Sequence, residues 1–115
     1  MKRTPLTKLK LVWRDQLCED NRLRPATFKL GYVMADYITL QDTAEKYRRT
    51  GKIVIWPSQA ALRERTSFAL DTISAGVNQL IEHGHLKRLK RGNQKTGSNR
   101  YRLLVNDAQP AQSSI

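Results

Sequence analysis

The sequence predicts an α+β fold that is mostly helical and includes a small antiparallel sheet. Three observations support this prediction. Apolar residues recur every three or four positions through most of residues 6–83, the spacing that gives a helix one apolar face. A short β-branched run, 53–56, interrupts that pattern and predicts a strand. Two further strand-like runs, 86–89 and 101–105, flank a polar loop with two glycines, which predicts a hairpin.

The first helix is predicted over residues 6–19. Its apolar side chains recur on one face: Leu6, Leu9, Val12, Trp13 and Leu17. This stripe would either cap the core of the domain or form the interface of a homodimer. The chain's single cysteine, Cys18, lies beside the stripe, and we expect it to be a buried, reduced thiol.

Two more helices are predicted between the polar connector 19–24 and the first strand. Pro25 suits the first turn of a second helix that runs to about position 40. Gly31 inside this helix indicates close approach of another helix, because glycine otherwise weakens a helix interior. Asp42 and Glu45 resemble a capping box and predict a short third helix, although a loop is nearly as compatible with this segment.

A pair of helices separated by a short turn precedes the hairpin. Ser58 is a suitable N-cap for a helix that continues to about Arg65. After a turn over 66–68, a longer helix is predicted over 69–83. Its apolar stripe consists of Ile73, Val77, Leu80 and Ile81. Gly84 then provides a natural C-terminal stop.

Charge is concentrated towards the two ends of the chain. The net charge is +11 and the isoelectric point is about 10.3, a balance that favours a polyanionic partner. Residues 1–24 contain seven basic and three acidic side chains, whereas residues 51–84 contain three of each. Residues 85–105 contain seven basic side chains and no acidic one. Because a solubilising surface usually mixes signs, this hairpin is predicted to contact phosphates.

These patterns divide the chain into three parts. Residues 1–24 form a basic N-terminal segment with an extra helix, and residues 25–105 form the main domain. Residues 106–115 are rich in Ala, Gln, Ser and Pro and are predicted to be a disordered tail.

Residues 56–105 resemble the winged helix-turn-helix domains of plasmid and phage replication initiators and related bacterial transcriptional regulators. The resemblance rests on Trp56-Pro57-Ser58-Gln59, Leu62, Thr72-Ile73, Leu80, Gly84-x-Leu86 and Ser98-Asn99-Arg100-Tyr101-Arg102-Leu103. The helical run 25–40 is similar to the first helix of the same domain. The family implies a mostly helical winged helix-turn-helix with a small antiparallel sheet, to which residues 6–19 add an extra N-terminal helix. It also implies double-stranded DNA as the partner, with the second helix of the pair in the major groove.

The helical period assigns candidate DNA contacts. A helix that buries Ile73, Val77 and Leu80 turns its opposite face outward. The candidates in this recognition helix are Leu70, Asp71, Thr72, Ser74, Ala75 and Asn78. Asn can pair with adenine, Asp can accept from cytosine, and Leu or Ala can touch the thymine methyl group.

The remaining candidate contacts lie on either side of that helix. Ser58 and Gln59 start the preceding helix, where backbone N–H groups can approach a phosphate. The hairpin, or wing, would contribute Lys90, Arg91, Asn93, Lys95, Asn99, Arg100 and Arg102. Strand alternation places Tyr101 towards the core and its two arginine neighbours outward.

We therefore expect a sequence-specific DNA-binding protein that regulates a bacterial chromosome or mobile element, acts at the nucleoid in the cytoplasm and uses no cofactor. A plasmid or phage replication or partition accessory protein would use the same chemistry. A winged helix that docks another protein would instead need an exposed apolar patch, and the basic flanks also permit RNA binding.

Enzymatic function is not expected. His83 and His85 have no cysteine or carboxylate set at metal-ligand spacing. The glycine-containing loop lies between strands and lacks the Gly-Lys-Ser/Thr ending of a phosphate-binding loop. No apolar stretch approaches the roughly 18 residues of a membrane span.

Overall fold

The computed structural model describes residues 4–90 and 99–106. The helices are α1 (Leu6–Glu19), α2 (Pro25–Ala35), α3 (Gln41–Thr50), α4 (Gln59–Thr66) and α5 (Leu70–Glu82). A 3₁₀ turn, Asp36–Thr39, joins α2 to α3. The strands are β1 (Val54–Ile55), β2 (Leu86–Lys90) and β3 (Arg100–Leu103). The predicted α+β class, mostly helical with a small antiparallel sheet, is confirmed.

The sheet has three antiparallel strands in the order β1-β3-β2. Tyr101 in the central strand is paired with Ile55 on one side and Arg88 on the other. The side chains of Tyr101 and Leu103 are buried, whereas those of Arg100 and Arg102 are half-buried. The predicted inward direction of Tyr101 is therefore confirmed. The β2–β3 register shifts between Arg88 and Lys90, which leaves Leu89 as a bulged residue with 43% of its surface exposed.

Helix α1 packs against the same core as the rest of the chain. Leu9, Trp13 and Leu17 are buried in the cluster that contains the core residues of α2 and α5, and Leu6 packs against it. A Cβ atom on Gly31 would lie 2.5 Å from Leu17 Cδ1, so glycine allows α1 and α2 to approach closely. The apolar stripe of α1 thus caps the core, and its buried side chains are not exposed to a second copy of the chain.

Helix α5 packs on α2 through another glycine. A Cβ atom on Gly76 would lie 2.8 Å from Leu30 Cδ2, and Leu30 is fully buried. The opposite end of α5 is closed by Gly84, which has φ of 81°. His85 N–H donates to the Leu80 carbonyl, and Gly84 N–H donates to the Ile81 carbonyl. This pair of bonds is a Schellman motif, so the predicted stop at Gly84 is confirmed.

Helix α3 exists, but it does not begin as predicted. Leu40 is the N-cap and no side chain caps the helix, so the predicted capping box of Asp42 and Glu45 is wrong. Asp42 lies two positions after the N-cap, in the first turn, where its charge is favourable to the helix dipole. Gly51 ends the helix with φ of 78°, a conformation that glycine adopts without steric cost.

Two other expectations differ from the structure. Cys18 is exposed rather than buried, because it lies on the face of α1 opposite Leu9 and Trp13. The second helix ends at Ala35, and the chain continues to Thr39 as a 3₁₀ turn with buried Ile38. The helical period of the sequence spans both segments and does not distinguish them.

Candidate nucleic-acid interface

The outward face of α5 forms the centre of the candidate interface. Its core face buries Ile73, Val77 and Leu80. The predicted contact residues Leu70, Asp71, Ser74, Ala75 and Asn78 are exposed together, and Thr72 is half-buried. Leu70 is 41% exposed, a high fraction for a large apolar side chain. The face therefore offers an amide, a carboxylate, a hydroxyl and two apolar groups, but no cation of its own.

Helix α4 is fixed at both ends by local hydrogen bonds. Ser58 Oγ accepts a hydrogen bond of 3.0 Å from the N–H of Ala61, so its predicted role as N-cap is confirmed. Gln59 is the first residue of the helix and is half-buried. At the other end Ser67 adopts the left-handed conformation with φ of 63° and ψ of 21°. The chain can therefore turn sharply from α4 into α5 without a glycine.

Thr66 completes this turn from inside the protein. Its side chain is 1% exposed, yet both of its hydrogen-bonding functions are used. The hydroxyl donates to the Leu62 carbonyl at 2.6 Å and accepts from Phe68 N–H at 3.1 Å. A polar residue thus occupies a buried turn position without an unsatisfied group.

The outer face of the sheet carries cations from two strands. Lys87 is exposed and is paired in register with Arg102, so both side chains project from the same face. Arg100 lies on this face one pleat further along β3 and is paired with Lys90. Asn99 is half-buried immediately before the strand. The predicted wing residues Arg91, Asn93 and Lys95 lie outside the described residues.

Two arginines of the hairpin lie over aromatic rings. The Arg100 guanidinium is 5.5 Å from the centre of the Trp56 ring, and the Arg88 guanidinium is 5.8 Å from that of Tyr101. The Nε atom of each arginine is buried without a hydrogen-bond partner. Neither guanidinium forms a salt bridge with an acid among residues 4–90 and 99–106. The rings orient these side chains while their charges remain uncompensated.

Sequence reasoning missed three cations next to the predicted contacts. The side-chain directions of Lys87 and Arg88 follow from strand alternation once the register of β2 with β3 is known. Arg24 lies in the connector between α1 and α2, and its guanidinium donates to the Ala75 carbonyl of α5 at 3.2 Å. No local pattern signals that contact, because 51 residues separate the two partners.

A buried polar network fixes the base of the hairpin to the α1–α2 connector. Asp20 Oδ2 lies 2.8 Å from His85 Nε2 and 3.4 Å from His83 Nδ1. Arg22 donates to both carboxylate oxygens, at 2.8 and 3.0 Å. Both histidines thus lie against one buried carboxylate, a contact that their positions in the sequence do not indicate. Among the described residues, no three His, Cys, Asp or Glu side chains are arranged to hold a metal ion.

The hydrogen bonds of Gln16 define the tautomer of His85. Asn106 N–H donates to Gln16 Oε1 at 2.8 Å, so the amide nitrogen must donate to the Leu104 carbonyl and to His85 Nδ1. His85 then carries its proton on Nε2 and donates it to Asp20. Trp13 Nε1 donates to the His85 carbonyl at 3.1 Å, which joins α1 to the same network.

The pKa of Asp20 is lowered well below its ordinary value. The hydrogen bonds from the Arg22 side chain lower it most, burial opposes them, and the hydrogen bond from His85 lowers it further. The carboxylate thus stays charged at every pH near neutrality. It holds the connector, which includes Arg22 and Arg24, against the start of β2.

A second carboxylate, Asp36, forms salt bridges with three cations from two helices. It lies 3.0 Å from Lys10 Nζ, 2.8 Å from Arg14 and 2.7 Å from Arg65. Burial raises the pKa of Asp36, but the hydrogen bonds from Arg65 and Lys10 outweigh burial and lower the pKa to about 2. Arg65 of α4 is therefore held by an acid, whereas Arg88, Arg100 and Arg102 form no salt bridge among residues 4–90 and 99–106.

Comparison with protein-family models, with curated proteins and with solved structures gives no match for this chain. Over residues 4–90 and 99–106, no helix combines the length and apolar character needed to cross a membrane.

Proposed function

We propose that this chain is a winged helix-turn-helix protein that binds double-stranded DNA and acts as a sequence-specific regulator of a bacterial chromosome or mobile element. In this proposal α2, α4 and α5 are the three helices of the domain, β2 and β3 are the wing, and α5 is the recognition helix. Helices α1 and α3 are additions. The protein would act at the nucleoid, which agrees with its basic composition.

The order of the elements supports the domain assignment. The chain runs from α2 through β1 to the helix pair α4–α5 and then to the β2–β3 hairpin. Strand β3 lies between β1 and β2, so the hairpin extends from a sheet that begins before the helix pair. This arrangement sets a helix and a β-ribbon side by side, a combination that fits a major groove and the adjacent backbone.

The single observation that carries the functional proposal is the pairing of two surfaces. The outward face of α5 presents Asp71, Ser74 and Asn78 to solvent, and the outer face of the hairpin presents Lys87 and Arg102. Polar groups at helical spacing suit base edges, whereas cations without acidic partners suit phosphates. Each surface alone is compatible with solvent exposure, but their occurrence on α5 and β2, two elements that pack against each other, favours DNA.

Base readout would come from few groups. Asn78 can pair with adenine through both hydrogen-bonding atoms of its amide, and Asp71 can accept a hydrogen bond from cytosine N4. The same Asp71 repels phosphates, so α5 must enter the groove near base edges rather than lie on the backbone. The side chains on this face of α5 thus favour binding that depends on the DNA sequence over binding that does not.

The test is selection of DNA from a random pool. A library of duplexes with about 20 randomised base pairs, the scale of a dimeric operator, is incubated with the purified protein near 0.15 M salt. Bound and unbound fractions are then sequenced. Enrichment of one motif is the expected result, and a palindromic motif would identify a dimer on DNA.

Two outcomes would contradict the proposal in different ways. Uniform retention of all sequences would replace sequence-specific regulation with backbone-only binding. No retention at about 50 mM salt, where phosphate contacts are strongest, would exclude duplex DNA as the partner. A parallel measurement with single-stranded RNA of the same length separates the RNA-binding alternative, which predicts preference for that probe.

A further inference from the structure

The connector between α1 and α2 is attached to the side of α5 by three hydrogen bonds. Arg24 N–H donates to Gln79 Oε1 at 3.1 Å, and Gln79 Nε2 donates to the Arg22 carbonyl at 3.0 Å. The Arg24 guanidinium donates to the Ala75 carbonyl at 3.2 Å. A single α5 side chain thus holds the backbone on both sides of Leu23.

This attachment places the Arg24 guanidinium at the edge of the outward face of α5. Ala75 is exposed among the predicted base-contacting residues, and Gln79 lies one turn later on the flank. The flank belongs to the side on which α2 packs, because Gly76 meets Leu30 and Thr27 of that helix. Arg24 therefore borders the candidate reading surface without entering the core, and its side chain is exposed.

The two arginines of the connector differ in their charge environment. Arg22 forms a double hydrogen bond with Asp20, so an acid compensates its charge. Arg24 has no acidic partner among the residues that the structure describes. The side-chain hydrogen bond that it forms within residues 4–90 and 99–106 goes to a neutral carbonyl, and a guanidinium has five N–H donors in total. Most of its donors remain available to a ligand.

Helix α5 itself has no basic residue. Its ionisable side chains are Asp71 and Glu82, both exposed. A helix of about 10–12 Å diameter fills a major groove about 12 Å wide. The phosphate backbones then run along its flanks, where an acidic helix would be repelled. A cation that another element holds at the flank of α5 would offset this repulsion.

We propose that Arg24 binds a DNA phosphate beside the groove that α5 occupies, with Gln79 as the residue that positions it. This inference rests on the proposed DNA-binding function and adds a contact that the helix pair and the hairpin do not include. The extra N-terminal helix is then part of the DNA-binding unit, because α1 and its connector hold the arginine in place.

The experiment compares Arg24→Ala with Arg24→Lys and with the control Arg49→Ala. Arg49 is exposed in the last turn of α3, outside the helix pair and the hairpin. The probe is a fluorescein-labelled 30-base-pair duplex of random sequence, and anisotropy gives Kd from about 50 to 300 mM salt. Circular dichroism confirms that each variant has a Tm close to that of the wild type.

Loss of one phosphate contact should reduce the slope of log K against log salt by about 0.9. Arg24→Ala should therefore show this reduction and bind about tenfold more weakly at low salt, whereas Arg24→Lys should keep the slope. Arg49→Ala should match the wild type. Gln79→Ala should weaken binding with an unchanged slope, because the cation remains but is no longer held.

The outcomes distinguish this inference from the proposed function. If the wild type does not bind the duplex, the DNA-binding proposal fails. If the wild type binds and Arg24→Ala has the same Kd and slope, DNA binding stands and Arg24 is outside the interface. Equal losses in Arg24→Ala and Arg49→Ala would also overturn the inference, since they would reflect net charge alone.

Discussion

His85 donates a hydrogen bond of 2.8 Å from Nε2 to Asp20 Oδ2, across 65 residues of sequence. The bond joins the α1–α2 connector to the first residues of the hairpin, and both side chains are more than nine-tenths buried. Because the same connector is attached to α5 through Gln79, one short segment links the hairpin base, the outward helix and α1. The relative placement of the two candidate DNA-contacting surfaces therefore depends on Asp20.

Asp20→Asn should destabilise the protein most at neutral pH. The pKa of Asp20 is lowered in the folded protein, so its stabilising effect is present above about pH 4 and is lost as the pH falls towards the folded value. At pH 7 we expect a loss of about 1–3 kcal/mol in the free energy of unfolding. Urea denaturation at pH 7 and at about pH 2.5 measures the difference in free energy of unfolding between wild type and Asp20→Asn.

The difference between wild type and Asp20→Asn should narrow at the lower pH, because the unfolded wild-type chain then binds a proton on Asp20 that folding must release. Asp15→Asn is the matched control, since Asp15 is exposed on α1. It should change stability by no more than about 0.5 kcal/mol. A difference for Asp20→Asn that is the same at both pH values would show that the charge of Asp20 contributes nothing to stability.

Local sequence signals were sufficient for most elements of the fold. The period of three and four residues predicted α1, α2 and α5, Ser58 as an N-cap predicted α4, and the alternation around Tyr101 predicted the direction of its side chain. Gly84 and Ser58 predicted the ends of helices, because each meets a steric or hydrogen-bonding need at that position. These features depend on residues within a few positions of one another.

Contacts between distant segments could not be predicted in this way. The charge of Arg24 gives no sign of its attachment to Ala75, and Asp20 gives no sign of His85. The start of α3 also differed, since Asp42 resembles a cap but lies inside the first turn. Each of these depends on how helices pack, which a single sequence specifies only through the whole set of core contacts.

Substitution of Gly76 tests the close packing of α5 on α2. Gly76→Val should destabilise the protein by about 2 kcal/mol or more, because its Cβ meets the buried Leu30 side chain and its methyl groups add to the overlap. Gly76→Ala should destabilise the protein less, because a gain of about 1 kcal/mol in helix propensity offsets part of the cost of the overlap. Thermal denaturation of both variants and the wild type gives the order of their Tm values.

A Gly76→Val protein as stable as wild type would mean that α2 and α5 are not packed as closely as the structure has them. Ser74→Val provides the control, because Ser74 is exposed on the same helix and a branched side chain meets no core atom there. It should cost no more than the propensity difference, about 0.5 kcal/mol.

Ser67→Gly should stabilise the protein by about 1 kcal/mol. Ser67 has φ of 63°, where a side chain carries a steric cost of roughly 1–2 kcal/mol that glycine avoids. The gain corresponds to a rise in Tm of about 4–8 °C for a domain of this size. Ser67→Val should shift Tm in the opposite direction, because a β-branched residue is especially unfavourable there. A lower Tm for Ser67→Gly would contradict the strain assigned to this turn.

The paired cations on the outer sheet face should set part of the salt dependence of DNA binding. The double variant Lys87→Ala/Arg102→Ala removes two register-paired charges. The slope of log K against log salt should fall by about 1.8, twice the value for one phosphate contact. Lys8→Ala/Lys52→Ala removes two exposed charges elsewhere and should leave the slope unchanged. Equal slopes in the two double variants would remove the hairpin from the interface.

Asn78→Ala should separate base readout from backbone binding. Asn78 is exposed at the centre of the outward face of α5, one turn from Ser74 and two turns from Asp71. If its amide pairs with a base, the variant should lose about 1–3 kcal/mol on the selected motif and almost nothing on random duplexes. The salt slope should stay the same, because no phosphate contact is removed. Equal losses on both kinds of duplex would assign Asn78 to the backbone or to folding, and Tm of the variant would distinguish these two.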